Sequence, residues 1–173
     1  QVTLVPERRQ ELTTEGGLDV VKLAKKLQPL IGTFHRRGIT VSLFIDPLAA
    51  QVLAAEAVGA RVIELHTGCF AGASAAGARR RALDALARAA NLGRDLGIAI
   101  AAGHGLDDAN VGPVVGIREI EEVNIGFSII TRALTVGLER AVREMVELIS
   151  RGNHRDRAGT RERSAQADVL RAG

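Results

Sequence analysis

The 173-residue chain contains no tryptophan, no tyrosine and only four phenylalanines. It therefore has few rings on which bases could stack, and its net charge of +3 is too small to draw a polyanion. Nucleic acid is set aside as a partner on those grounds. A single cysteine, Cys69, excludes an internal disulfide and any multi-cysteine metal site. The four histidines, His35, His66, His104 and His154, lack the spacing of metal ligands, so no metal is expected. No apolar run approaches the roughly 18–20 residues that span a bilayer, and no charged-then-apolar leader opens the chain. The expectation is a cytoplasmic protein with no membrane partner. Neither G-x-x-x-x-G-K-[ST] nor G-x-G-x-x-G follows a strand-like run, so the common nucleotide motifs are missing.

What remains is ordinary for a globular domain: 46% hydrophobic and 25% charged residues. The exception is 153–173, where five arginines stand against two aspartates and one glutamate among few apolar residues. That composition predicts a basic, solvated and disordered tail, and places the folded domain at 1–152. An anion-binding arm is the alternative reading of the tail.

Within 1–152, strand-like and helix-like runs alternate. Val2–Val5 is β-prone and stopped by Pro6. Leu18–Arg37 has the apolar spacing of an amphipathic helix, ended by Gly38. Ile39–Ile45 is a β-branched and aromatic run before Asp46-Pro47, which suit the N-cap and first turn of a helix over Leu48–Val58. Arg61–Leu65 predicts a strand, Ala75–Leu96 a long helix and Ile98–Ala102 a strand. A short helix falls within Leu106–Val115, and Ile120–Ile125 is the last strand. Ala133–Ile149 reads as one final helix, with Leu134, Leu138, Val142, Met145 and Ile149 on one face. Five βα repeats imply an α/β fold with a parallel sheet covered by helices. Both a doubly wound sheet and part of a (β/α)8 barrel fit, and both gather ligands at the carboxyl ends of the strands.

Polar and glycine residues recur at that edge: Asp46, then His66-Thr67-Gly68-Cys69, then Gly103-His104-Gly105, then Asn124-Ile125-Gly126-Phe127-Ser128. Flanking glycines free the His104 imidazole to project, and an imidazole exchanges protons near neutral pH. A histidine bonded to a carbonyl in a tight turn would look the same. Strand alternation places Glu64 with Val62 and His66, opposite Ile63 and Leu65. A carboxylate there needs a partner, either an arginine in a structural ion pair or a substrate, and His66 is on hand as a second polar group. Gly126, at a helix start, admits a phosphate to free N–H groups, although an ordinary strand-to-helix turn also fits. Cys69 is either a nucleophile or an incidental loop thiol.

Five stretches carry a resemblance: Pro6–Asp19, Val41–Asp46, Ile63–Cys69, Ala102–Leu106 and Val123–Gly126. In order and spacing they resemble the pyridoxine 5′-phosphate synthase family. The resemblance implies a (β/α)8 barrel, of which this chain covers about the last five βα units, assembled as a homo-octamer. It implies ring-closing condensation of 1-deoxy-D-xylulose 5-phosphate with 3-amino-2-oxopropyl phosphate to pyridoxine 5′-phosphate, phosphate and water, with no cofactor. Position by position it implies His104 as proton donor and Glu64 as the carboxylate that stabilises the transition state. It further implies Thr13 as a contact to the deoxyxylulose phosphate, and Gly105, Gly126 and Phe127 as contacts to the aminoketone phosphate. Phe127 departs from the histidine of some members, which a backbone N–H contact would tolerate. The family's preceding units, with N-x-D-H and H-L-R-E-D-R segments and a second catalytic glutamate, have no counterpart here. A start at Gln1 inside a core strand leads to the expectation of a sequence cut through a domain. The rival expectation is a non-catalytic chain that binds a phosphorylated small molecule or a partner subunit.

Overall fold

A computed structural model describes residues 1–6 and 16–152. Thr13 and the basic tail lie outside the described residues. The elements run β1 (Val2–Leu4), α1 (Val20–His35), β2 (Val41–Ile45), α2 (Ala49–Ala57), β3 (Val62–His66), α3 (Gly68–Ala71), α4 (Ala76–Asp95), β4 (Ala99–Gly103), α5 (Val111–Val115), β5 (Ile120–Asn124) and α6 (Phe127–Val136). Residues 138–152 are again helical, here α7. The alternation predicted from sequence is present, with strand and long-helix ends moved by one or two residues except in the last helix, where helix already begins at Phe127 rather than Ala133. The short helix α3 is an addition where a loop was expected, and buried Phe70 anchors it.

The chain divides into two compact units, the first made of Gln1–Leu106 and Glu119–Ile125. This unit holds a five-stranded, all-parallel sheet in the order β1-β2-β3-β4-β5. A doubly wound sheet reverses its strand order at a switch point, and no reversal occurs among these strands. Consecutive order is the arrangement of neighbouring units in a (β/α)8 barrel, with which this α/β sheet is consistent. Helices α1, α2 and α4 pack beside one another and against β2, β3 and β4. Val41, Leu43, Ile45, Ile63, Leu65 and Ile100 are almost wholly buried. Gly93 of α4 lets that helix close on the sheet: a Cβ there would lie 2.5 Å from Ile100 Cδ1 and 3.2 Å from Ile63 Cδ1. Alternation then turns Phe44, Glu64, His66 and Gly103 to the face away from the helices.

A bulge between β4 and β5 decides what else reaches that face. Ile100 pairs with Ile120, but Ala101 pairs with Glu122 and Gly103 with Asn124. The extra residue, Glu121, reverses the alternation, so Glu122 and Asn124 join the Glu64 face rather than the helix face.

The second unit comprises Asp107–Arg118 and the described residues from Gly126 onward. Here the sequence expectation of one helix over Ala133–Ile149 is corrected. Gly137 adopts φ 84° and ψ 151°, separating α6 from α7. Leu134 on α6 therefore drops out of the face expected of the five, whereas Leu138, Val142, Met145 and Ile149 keep their helical spacing on α7: Leu134 is 85% exposed and Met145 5% exposed. Arg132 of α6 bonds the Glu144 carboxylate of α7 at 2.9 Å and bridges the two helices, while Arg140, one turn before Glu144 on α7, bonds the same carboxylate at 2.8 Å. The Gly137 conformation is one that a Cβ makes costly, and the space around it is open. Gly137→Ala is therefore expected to lose about 1–3 kcal/mol through backbone strain alone, read from urea unfolding.

Candidate active site

The carboxyl edge of the sheet gathers groups that lie far apart in sequence. Asp46, just after β2, was expected to cap α2. It does not: Leu48 occupies the cap position with no side-chain hydrogen bond. Asp46 Oδ1 instead accepts the Gly17 N–H at 3.0 Å and faces His66 Nδ1 at 3.0 Å. Two partners at the sheet edge outweigh the single N–H that a cap would satisfy. Gly17 is necessary to this arrangement, because a Cβ there would lie 2.1 Å from the Asp46 backbone nitrogen.

His66, at the end of β3, is 6% exposed. Its ring lies 5.2 Å from the Phe44 ring and 5.0 Å from the His104 ring, the latter edge-to-face. His66 is thus the partner of Asp46, not of Glu64.

Among the described residues Glu64 pairs with neither arginine nor histidine. Its hydrogen-bond partner is Asn124, two strands away across β4. The bond spans that distance because the intervening residue is glycine: a Cβ on Gly103 would lie 2.3 Å from Glu64 Oε1 and 3.1 Å from the Asn124 carbonyl oxygen. Loss of hydration pushes the Glu64 carboxyl above its usual range; the Asn124 bond opposes this and the negative charge of Glu122 adds to it. A carboxyl raised in this way accepts and releases protons closer to neutrality than a solvated one, and ionises when a cation arrives beside it.

The same cause predicts a pH effect on stability. A carboxyl whose folded pKa is raised weakens the fold as pH climbs from its unfolded value through its folded one. Glu64→Gln removes that ionisation and keeps an acceptor for Asn124. The variant is expected to melt higher than the parent, by a margin that widens as pH rises above about 4.5 and levels off beyond the folded pKa. Paired thermal melts across pH check this, and a margin independent of pH would refute it.

His104 carries the one positive φ among the described non-glycine residues, 82°, and Gly105 follows at 74°. Thr67, fully buried, holds this turn. Its N–H donates to the Gly103 carbonyl at 2.9 Å, and its hydroxyl lies 2.7 Å from that oxygen and 2.5 Å from the His104 carbonyl oxygen. A Cβ on Gly105 would press against Ala71 Cβ at 2.9 Å, so α3 backs the turn. The backbone is thereby fixed in a rare conformation that aims the imidazole at the sheet edge, and such conformations concentrate at functional sites.

Of the residues expected from sequence, Glu64, His104 and Gly105 belong to this one constellation. Gly126 and Phe127 belong to the second unit. Gly126 takes the cap position of α6 with open space where a Cβ would stand, and Phe127 is 86% exposed. Cys69 lies exposed on α3. Asn124 and Thr67 carry parts of the site that sequence reasoning had not assigned. The only prior signal for either was its position at a strand end. No helix among the described residues is long and apolar enough to cross a membrane.

Parallel α/β folds gather their ligands at the carboxyl edge of the sheet, and here that edge holds a carboxyl, two imidazoles and an enforced turn. Residues 1–151 match the family model described as pyridoxal phosphate biosynthesis protein PdxJ, and the chain belongs to that family. Among its relatives, the pyridoxine 5′-phosphate synthase of a Synechococcus strain is 56% identical over 144 residues, covering 83% of this chain and 60% of the relative. The protein of that name from Trichlorobacter lovleyi is 51% identical over 151 residues, covering 87% and 63% respectively. That from Geobacter sulfurreducens is 54% identical over 147 residues, covering 85% and 62%. The chain thus spans about three-fifths of the length of these curated relatives.

Proposed function

We propose that this chain carries the strand-end part of a pyridoxine 5′-phosphate synthase active site. The carrying observation is identity above 50% to proteins of that name over more than four-fifths of the chain. The reaction is ring closure of 1-deoxy-D-xylulose 5-phosphate with 3-amino-2-oxopropyl phosphate, releasing phosphate and water. His104 acts as general acid, giving its proton to a departing oxygen. Glu64 balances the positive charge of an imine-like intermediate, and Asn124 keeps its carboxyl turned to the site. Gly105 and the Gly126–Phe127 step offer backbone N–H groups to the aminoketone phosphate, and Thr13 contacts the other substrate. The sheet forms the last five units of a (β/α)8 barrel, working in the cytoplasm as a homo-octamer without a metal or organic cofactor.

The test is to express the protein from its native reading frame, supply both phosphorylated substrates, and follow pyridoxine 5′-phosphate by mass spectrometry. Product formation that depends on both substrates is the expected result. A folded protein that binds either substrate yet forms no product would instead support the reading of a non-catalytic phosphate binder.

A further inference from the structure

We infer that Asp46 and His66 form a positioning pair that fixes the imidazole of His104. The hydrogen bonding around His66 is one-sided. The Asp46 carboxylate only accepts, so the proton of the shared bond sits on His66 Nδ1. His66 Nε2 is buried and has no hydrogen-bond partner among the described residues. It points at the backbone of Gly68, where a Cβ would stand only 2.4 Å away. The ring is thus clamped between Asp46 on one edge and Gly68 on the other, with Phe44 and His104 packed beside it.

A buried nitrogen without a partner is a cost that an apolar ring of similar size would avoid. What the imidazole adds over such a ring is a bond to Asp46 that sets its rotation. That rotation is passed to His104, whose ring meets it edge-to-face at 5.0 Å. Thr67 holds the His104 backbone and the Asp46–His66 pair holds its side chain, so both ends of the group are fixed. Preorganisation of this kind matters because a misplacement of about 1 Å can cost on the order of 10²-fold in rate.

The role in turnover rests on the synthase reading; the positioning itself does not. The experiment therefore begins without substrate, on the chain labelled with ¹⁵N-histidine. In the parent, His66 is expected to show a protonated Nδ1 and a bare Nε2. Asp46→Asn keeps an oxygen for both the Gly17 N–H and the His66 Nδ1 proton but replaces the carboxylate by a weaker, uncharged acceptor, and is expected to shift the His66 and His104 ring nitrogens. His66→Phe fills the same space without the bond to Asp46, is expected to fold, and should shift the His104 nitrogens as well. In an active preparation both variants should lose kcat on the order of 10-fold or more with little change in KM. His104 signals and kcat that match the parent in His66→Phe would overturn the proposal, because packing alone would then suffice. If Asp46→Asn does not fold, His66→Phe decides. A parent without turnover counts against the synthase reading and leaves the ¹⁵N result to judge the pair.

Discussion

Replacing His104 with Asn is expected to lower turnover about 10²-fold or more while leaving the fold intact. The first half follows from the general-acid role proposed for the imidazole, for which an amide has no substitute near neutral pH. The second half follows from the backbone. His104 sits at φ 82°, where most side chains are strained and Asn is among the residues best tolerated. Its carbonyl would still meet the Thr67 hydroxyl, and the Gly103 carbonyl would still accept the Thr67 N–H. His104→Val makes the contrast, because a β-branched residue at this φ loses stability as well as chemistry. Steady-state kinetics beside thermal melts separate the two effects. An Asn variant within a few-fold of the parent rate would remove His104 from the role of general acid.

Gly103→Ala is expected to produce a second loss of the same order, without touching a side chain that does chemistry. The added methyl would occupy the space through which Glu64 reaches Asn124, 2.3 Å from the Glu64 carboxyl oxygen. The carboxyl must turn away, and the backbone of β5 blocks any retreat of the methyl, since the Asn124 carbonyl oxygen stands at 3.1 Å. Overpacking of this kind costs about 1–3 kcal/mol in stability. The larger effect is on rate, because under the proposed function the oxygen that balances charge leaves its place. Glu64→Gln and Gly103→Ala should then be equally slow, and the double variant no slower than either, because both remove one function. A double variant slower by the product of the two would show that Gly103 and Glu64 act separately. Among the described residues Glu64 is the group whose ionisation is displaced by burial at this edge, which makes its placement worth more than that of a solvated carboxylate.

Much of this was legible in the chain. Period-two alternation put Glu64 and His66 on one face of β3, and they lie there. Gly38, Gly59 and Gly97 close helices at φ of 71°, 86° and 76°, as helix-ending glycines do. The Gly103-His104-Gly105 step marked a turn where backbone freedom is needed. Apolar period failed at Gly137, because the spacing of Leu134, Leu138 and Val142 continues through a glycine that nevertheless breaks the helix. Local preference also failed at Asp46, a good helix cap by sequence that is drawn away by Gly17 and His66.

Sequence by itself determined which residues stand at the carboxyl edge, since periodicity and glycine placement are local and are written residue by residue. Tertiary structure decided who meets whom there. Glu64 pairs with Asn124 because β4 offers a glycine between them and a bulge at Glu121 turns β5 over. Asp46 pairs with His66 because parallel register sets the end of β2 beside the end of β3. These partners are 60 and 20 positions apart, and no local pattern carries information across such separations; only the register of the assembled sheet does.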